Sequence, residues 1–257
     1  MPTARVIDDS GNFLLDSSDN NIVTYTGLDL GLVAHWKLDE TSGTTLADSS
    51  GNGYDLTTSG SPTLGGGGAA SGTGTSVAFN GSTQYASYTG LINMPVYPFT
   101  VSGWIKKTSL STQVEFFELW SSTNNYFRLQ ARTGGGLRVV RYDGTSSEFG
   151  AVTPTGIVTA GEWLHIAMVL ASPTEIYWYA NGSSVYHSAA LSSNIQATFT
   201  NIYLGRSYSS YWNGSLDDFR LYNRALSSNE VTQLYNTAIA TASDSNNSLT
   251  VGLHVGI

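Results

Sequence analysis

Cysteine is absent from the 257 residues, so neither a disulfide framework nor a thiolate metal site is available to this chain. Charge is scarce as well. Charged residues make up 12% of the sequence, and 11 Lys and Arg stand against 19 Asp and Glu, for a net charge of -8. A phosphate backbone is bound through basic surface, so nucleic acid is not an expected partner. No apolar run approaches the roughly 18 residues of a membrane-spanning helix, and Met1-Pro-Thr-Ala-Arg-Val-Ile-Asp-Asp lacks the apolar stretch of a secretory signal. Membrane insertion and a cleaved export signal are therefore not expected. Good helix formers are sparse everywhere except 228–240.

Glycine (28), tyrosine (15), serine and threonine fill the space, a composition that favours many short strands joined by tight turns. The length is ample for a buried core. Residues 1–31 read as a polar N-terminal arm, 32–237 as the folded domain, and 238–257 as a C-terminal arm ending in a strand. Alternating apolar positions predict strands at 32–38, 76–82, 99–106, 114–120, 126–132, 137–142, 163–170 and 202–205. The strand at 163–170 is apolar on both faces, which places it centrally. Asn181-Gly182 between two β-rich runs predicts a hairpin with a type I′ turn. The run from Gly65 to Gly74 reads as a flexible glycine loop. Asn80-Gly-Ser, Asn181-Gly-Ser and Asn213-Gly-Ser read as turns.

The stretch Asn213-Gly-Ser-Leu-Asp-Asp-Phe-Arg-Leu-Tyr222 reads as a strand in which Leu216, Asp218, Arg220 and Tyr222 share one face and Asp217, Phe219 and Leu221 the other. Ser227 three residues before Glu230 is a capping box, and Val231, Leu234 and Tyr235 then form one helical face. Leu249, Val251, Leu253 and Val255 alternate as a terminal strand suited to a neighbour's sheet edge. These features predict an all-β, two-sheet antiparallel sandwich with one short helix after the last core strand.

The ordered fragments Trp36-Lys-Leu-Asp-Glu, Asp48-Ser-Ser-Gly-Asn-Gly, Phe79-Asn-Gly, Phe99-Thr-Val-Ser-Gly-Trp, Gly161-Glu-Trp-Leu-His-Ile-Ala, Tyr179-Ala-Asn-Gly, Leu204-Gly and Gly214-Ser-Leu-Asp-Asp-Phe-Arg-Leu-Tyr resemble the laminin-G-like branch of the concanavalin A-like lectin/glucanase superfamily. The resemblance covers roughly 32–237 and implies a jelly-roll; it implies function less firmly, because this fold carries lectins, hydrolases and adhesion modules alike. It also implies a structural calcium, held by Asp217 or Asp218, Asp39 or Glu40, and oxygens near Asn80 and Gly81, since calcium accepts hard oxygen ligands in irregular geometry. The competing reading pairs Asp217 or Asp218 with Arg220 or Arg224, or leaves it facing water. The loop from Asp48 to Asp55 is a second calcium candidate, or an Asx-turn loop.

Sugar binding in such a fold uses aromatic faces and planar polar groups, and the candidates are Tyr208, Tyr211 and Trp212 on one loop and Trp120, Tyr126 and Arg128 around another. Arg128, Arg132 and Arg138 or Arg141 on adjacent strands suit an acidic glycan or a neighbour's acidic surface; solvated arginines are the plain alternative. Arg132 and Arg141 are accordingly candidate partner contacts. Nine of the 19 acids precede residue 56, so the acidic arm of a second copy is one such surface. Catalysis is not expected. The resemblance implies that a retaining glucanase of this fold would carry Glu-x-Asp-x-x-Glu on one strand, a string this chain lacks; the nearest approach to it, Glu115 and Glu118, would point to opposite faces of a regular strand. The reading that gathers these features is a non-enzymatic module displayed on a virion surface, contacting other virion proteins, copies of itself and glycans; a freestanding extracellular or cell-surface lectin and an unrecognised glycoside hydrolase are the alternatives.

Overall fold

The computed structural model describes residues 6–7, 13–15, 27–94, 97–122, 125–142, 147–150, 152–189, 198–207 and 210–240. In chain order its elements are β1 (Val6–Ile7), β2 (Phe13–Leu15), a 3-10 turn (Gly27–Asp29), β3 (Leu32–Trp36), β4 (Thr45–Leu46), β5 (Leu56–Ser59), β6 (Thr63–Gly67), β7 (Thr75–Asn80), β8 (Tyr85–Ile92), β9 (Phe99–Lys107), β10 (Val114–Ser122), β11 (Asn125–Ala131), β12 (Leu137–Tyr142), β13 (Ser147–Gly150), β14 (Trp163–Ser172), β15 (Glu175–Ala180), β16 (Ser183–Ser188), β17 (Phe199–Leu204), β18 (Asn213–Tyr222) and α1 (Ser228–Ile239). Sheet I runs β13-β12-β11-β10-β17-β8-β5-β4, and sheet II runs β16-β15-β14-β9-β18-β7-β6, with β3 also paired to β18. All named pairings are antiparallel. β1 and β2 pair with each other. The expected two-sheet antiparallel jelly-roll is what the chain forms.

The two sheets face each other across one apolar core. Phe117, Leu119, Phe127, Leu129 and Ile202 enter it from sheet I, and Ile105, Leu164, Ile166, Met168, Phe219 and Leu221 from sheet II. β14 lies between β15 and β9, as its two apolar faces require. Its second face, Ala167 and Val169, meets Leu28, Tyr179, Tyr222, Leu226, Val231 and Leu234 in a smaller cluster beneath α1. The helix starts where the sequence places it: Ser227 and Glu230 form a complete capping box. Asn181 (φ 48°) and Gly182 (φ 76°) make the expected positive-φ hairpin turn, and Thr232 Oγ1 donates to the Gly182 carbonyl, which ties α1 to that turn.

β18 departs from the simple alternation. One of its edges pairs with β9; the other pairs with β7 over Asn213–Leu216 and then with β3 over Phe219–Tyr222. The changeover falls at Asp217 and Asp218, where the register slips and Asp218 adopts φ 47°. Leu216, Phe219 and Leu221 therefore all face the core, while Asp217, Arg220 and Tyr222 face outward. The strict odd–even division expected from the sequence is corrected by one bulged residue.

The glycine run is also not a free loop. Thr63–Gly67 is the edge strand β6. Gly72 donates to the Ala238 carbonyl at the end of α1, and a Cβ on Gly74 would lie 2.1 Å from Asp39 Oδ1. Small size, rather than flexibility, is what this segment requires.

Gly103 of β9 is closer still to the core: a Cβ there would meet the Phe219 ring at 2.6 Å, whereas one on Gly67 would meet nothing within 4 Å. Gly103→Ala is expected to lower stability by about 1–3 kcal/mol in urea unfolding and Gly67→Ala to change it by less than about 0.5 kcal/mol. Equal effects would contradict this packing.

Candidate functional site

The candidate site is the outward face of sheet I, built on β10, β11, β17 and β8. Glu115 lies opposite Gln130 and Phe117 opposite Leu129, so Phe116 is an extra residue in β10. This bulge shifts the phase of the strand. Glu115 and Glu118 consequently project from one face, and the expectation that they point apart is corrected. Gln130 Nε2 donates to Glu115 Oε1 at 2.8 Å, Ser207 Oγ donates to Oε2 at 2.9 Å, and Ser210 Oγ also donates to Oε2. Arg128 Nε donates to Glu118 Oε1 at 2.6 Å. Burial pushes the Glu118 carboxyl up to about 7, with Glu115 adding to the rise and Arg128 opposing it.

Around this polar floor stand rings and guanidinium groups. Trp120 is the register partner of Tyr126, and Tyr126 that of Tyr142. The Arg128 guanidinium lies 3.7 Å from the Tyr126 ring centroid, and Tyr126 stacks on Tyr142 at 5.7 Å. On the other side of Glu118, Arg206 lies 4.5, 5.3 and 6.0 Å from the rings of Tyr85, Tyr203 and Tyr211. Among the described residues Arg206 forms no ion pair. This half-buried guanidinium is held by three rings, and its charge also acts on the Glu118 carboxyl.

Trp120, Tyr126, Arg128 and Tyr211 are thus brought to one sheet face. Arg138 joins them by donating to Gln130 Oε1, and the charge of Arg132 lies near enough to lower the Arg138 pKa after burial. Two expectations are corrected. Trp212 is fully buried, edge-on to Phe116 at 5.7 Å, because the chain returns it to the inter-sheet core. Arg141 is 1% exposed and donates from Nη1 to the Pro173 carbonyl, because its register places it beside Phe127 on the inward side. Tyr208, Leu249, Val251, Leu253 and Val255 lie outside the described residues. Tyr85, Tyr203 and Arg206 were missed in the sequence; the signal present was Tyr203, out of phase with apolar Ile202 and Leu204.

The calcium candidates separate. Asp218 is taken: His35 Nε2 lies 2.6 Å from its Oδ1, and Arg220 Nη2 reaches both oxygens at 3.2 Å. Burial alone would raise this carboxyl, but His35 and Arg220 hold it below its ordinary value. Asn80 Oδ1 accepts from the backbone N–H groups of Ser82, Thr83 and Gln84, and Asn80 pairs with Asn213. Four residues of strand, about 13 Å, separate it and Gly81 from Asp217. Glu40 Oε1 accepts from Ala47 N–H at 2.8 Å. Its Oε2 is buried without a hydrogen-bond partner among the described residues, a property it shares with one oxygen of Asp217. Asp217 is fully buried, Oδ2 accepts from Ala69 N–H at 2.7 Å, and Oδ1 has no hydrogen-bond partner among the described residues. Burial raises its carboxyl to about 7 against the lowering influence of the Ala69 N–H and the Thr73 side chain, and the charges of Asp218 and Asp39 add to the rise. Asp39 Oδ1 accepts from Thr75 N–H at 2.7 Å. Among the described residues no three His, Asp or Glu side chains gather as a metal site. Asp217 and Asp39 fit a hard cation only with further oxygens from the glycine loop or water. The Asp48 loop is an Asx-type loop in which the carboxylate accepts from the N–H groups of His35, Ser50 and Tyr54.

A family model described as the concanavalin A-like lectin/glucanases superfamily matches residues 79–232. No curated protein matches the chain. Among solved structures, domain 4 of AbnA, a GH43 extracellular arabinanase from Geobacillus stearothermophilus in complex with arabinotriose, superposes with a TM-score of 0.60 at 21% identity, over 79% of this chain and 98% of that domain. The botulinum neurotoxin serotype D binding domain gives 0.63 at 13% identity over 81% and 52%. The binding domain of botulinum neurotoxin DC in complex with SialylT gives 0.63 at 14% identity over 82% and 52%. The chain spans about half the length of these neurotoxin binding domains. The shared fold is lectin-like. No helix of the described residues is long and apolar enough to cross a membrane.

Glu118 gives the site a pH signature. Its folded value of about 7 exceeds its ordinary 4.5, so the folded state keeps a proton that the unfolded state releases. The resulting stability is full below 4.5 and lost as pH rises through about 7. Glu118→Gln is expected to remove this segment from the pH profile of the urea midpoint. Parallel profiles for wild type and variant across 4.5 to 7 would contradict the assignment.

Proposed function

The chain belongs to the concanavalin A-like lectin/glucanases superfamily, and from that premise we propose that it is a non-enzymatic adhesion module whose sheet I face binds glycans. One observation carries the reading: Trp120, Tyr126, Tyr211 and the Arg206 cage meet on a single sheet face over a hydrogen-bonded polar floor. Rings receive the C–H faces of sugars, and fixed polar groups receive their hydroxyls. Arg206 adds a preference for acidic sugars, because a guanidinium that forms no ion pair among the described residues meets a carboxylate or sulfate in bidentate geometry. On a glycan array, uronic-, sialic- or sulfate-bearing oligosaccharides are expected to bind above their neutral counterparts. Tyr126→Ala and Arg206→Ala are each expected to weaken binding about tenfold or more. Unchanged affinity in both variants would sink the proposal.

A second reading, hydrolysis, is favoured by the bulge at Phe116, which sets Glu115 and Glu118 on one face as a retaining pair needs. The binding reading gives these carboxylates a different task. Glu118 is 1% exposed and positions Arg128. No release of reducing ends from polysaccharides is therefore expected; release abolished by Glu118→Gln would move the function to catalysis.

Calcium belongs to the same proposal as a structural ion held by Asp217 and Asp39. At a hundredfold excess over its dissociation constant it is expected to add about 2.7 kcal/mol of stability, in wild type and not in Asp217→Asn. An unfolding midpoint indifferent to calcium and to chelator removes the ion from the account. The display setting is also part of the reading: a virion surface, with extracellular or cell-surface display as the alternative, and proteomics of purified particles tests it.

A further inference from the structure

The outward face of sheet II carries a second opening, on the opposite side of the molecule from the Arg206 cage. Between α1 and the segment 69–71, a cleft of about 450 Å³ is bounded by Trp104 and Lys106 of β9, Glu162 and Trp163 at the start of β14, Asn181 of the hairpin turn and Tyr235 of α1. The register explains the gathering. Trp163 pairs with Lys106 and His165 with Trp104, so four outward side chains lie side by side on two central strands. Trp104 packs on His165 at 5.3 Å and on Tyr235 at 5.7 Å, which fixes the floor against the helix. Lys106 Nζ stands 5.9 Å from the Trp163 ring centroid. Asn181, which lines the cleft, is held in place because its Oδ1 accepts from His165 N–H at 3.1 Å. None of these residues is needed for the sheet I face.

The ligand class follows from three properties. The volume suits a small molecule. The wall offers the rings of Trp163 and Tyr235, over a Trp104 that is itself 4% exposed, together with an amide, an ammonium and a carboxylate, so C–H faces and hydroxyls are matched while net charge is not selected. The backbone offers no strand edge: β9 is bonded to β14 and β18, and β14 to β9 and β15, so an extended peptide cannot add to the sheet here. We propose that this cleft binds a short neutral saccharide of one or two units, and that the domain therefore carries two sugar sites of different charge preference on its two outer faces.

The test uses the full chain with 15N labelling and a panel of cellobiose, maltose, lactose and xylobiose at millimolar concentrations. The six indole N–H signals are assigned by single Trp→Phe variants. At least one disaccharide is expected to shift the Trp104 and Trp163 signals in a saturable way, and Trp163→Ala is expected to weaken that binding by about tenfold or more. Arg206→Ala is expected to leave it unchanged, so failure of the sheet I reading and failure of this one are separate results. If no disaccharide moves either signal, or if Trp163→Ala binds like wild type, the cleft is not a saccharide site. Should Trp163→Ala fail to fold, Lys106→Ala with Glu162→Ala provides the same comparison from the rim.

Discussion

β18 must satisfy two different neighbours along one edge, and much of the structure depends on how it does so. β7 occupies the first half of that edge and β3 the second. The changeover is made by Asp218, whose positive φ is one that few side chains other than Asn and Asp accept. Its amide donates to the Lys37 carbonyl and its carboxylate is shared by His35 and Arg220, which are themselves register partners. An apolar residue there would lose the carboxylate's bonds to His35 of β3 and Arg220 and leave both half-buried beside it without that partner. The two adjacent carboxylates therefore have separate tasks: Asp218 closes the sandwich, and Asp217 is left in the gap beside Asp39 and the glycine loop.

The same economy of irregularity appears in sheet I. One extra residue, Phe116, keeps the inward row apolar and returns Glu115 and Glu118 to a common outward face. Those carboxylates order Gln130, Ser207, Ser210 and Arg128, and the rings of Tyr126, Tyr85, Tyr203 and Tyr211 hold the guanidinium groups above them. A rigid sheet thus presents polar groups at fixed positions, which is what recognition of a hydroxyl-rich ligand demands. On the other side of the sandwich, α1 packs on the outer face of sheet II, with Trp104 buried against Tyr235 and Trp163 lining the cleft beside the helix.

The architecture was legible because it rests on local rules. Alternation revealed most strands of both sheets, though not β4, β5, β6, β8 or β13, while Asn181-Gly182 marked the hairpin and Ser227 with Glu230 the helix start. The candidate site was legible only in part. Trp120, Tyr126, Arg128 and Tyr211 were found by type, but Trp212 looks the same in sequence and lies in the core. The bulges at Phe116 and Asp218 were invisible, since each is a choice made by pairing with distant strands and changes the face of every residue beyond it. Tyr203, Arg206 and Tyr211 lie within nine residues but need Tyr85 from a distant strand, and Trp104, Trp163 and Tyr235 come from three separated segments, so neither cluster is complete in any local spacing.

The central claim is that the face of β10, β11, β17 and β8 receives a glycan. Its most direct test is backbone and side-chain shift mapping of the labelled protein titrated with an acidic oligosaccharide. The account expects saturable shifts confined to that face, centred on Tyr126, Arg128, Tyr203 and Arg206. Saturable shifts elsewhere with this face silent, or none with any acidic oligosaccharide, would contradict it.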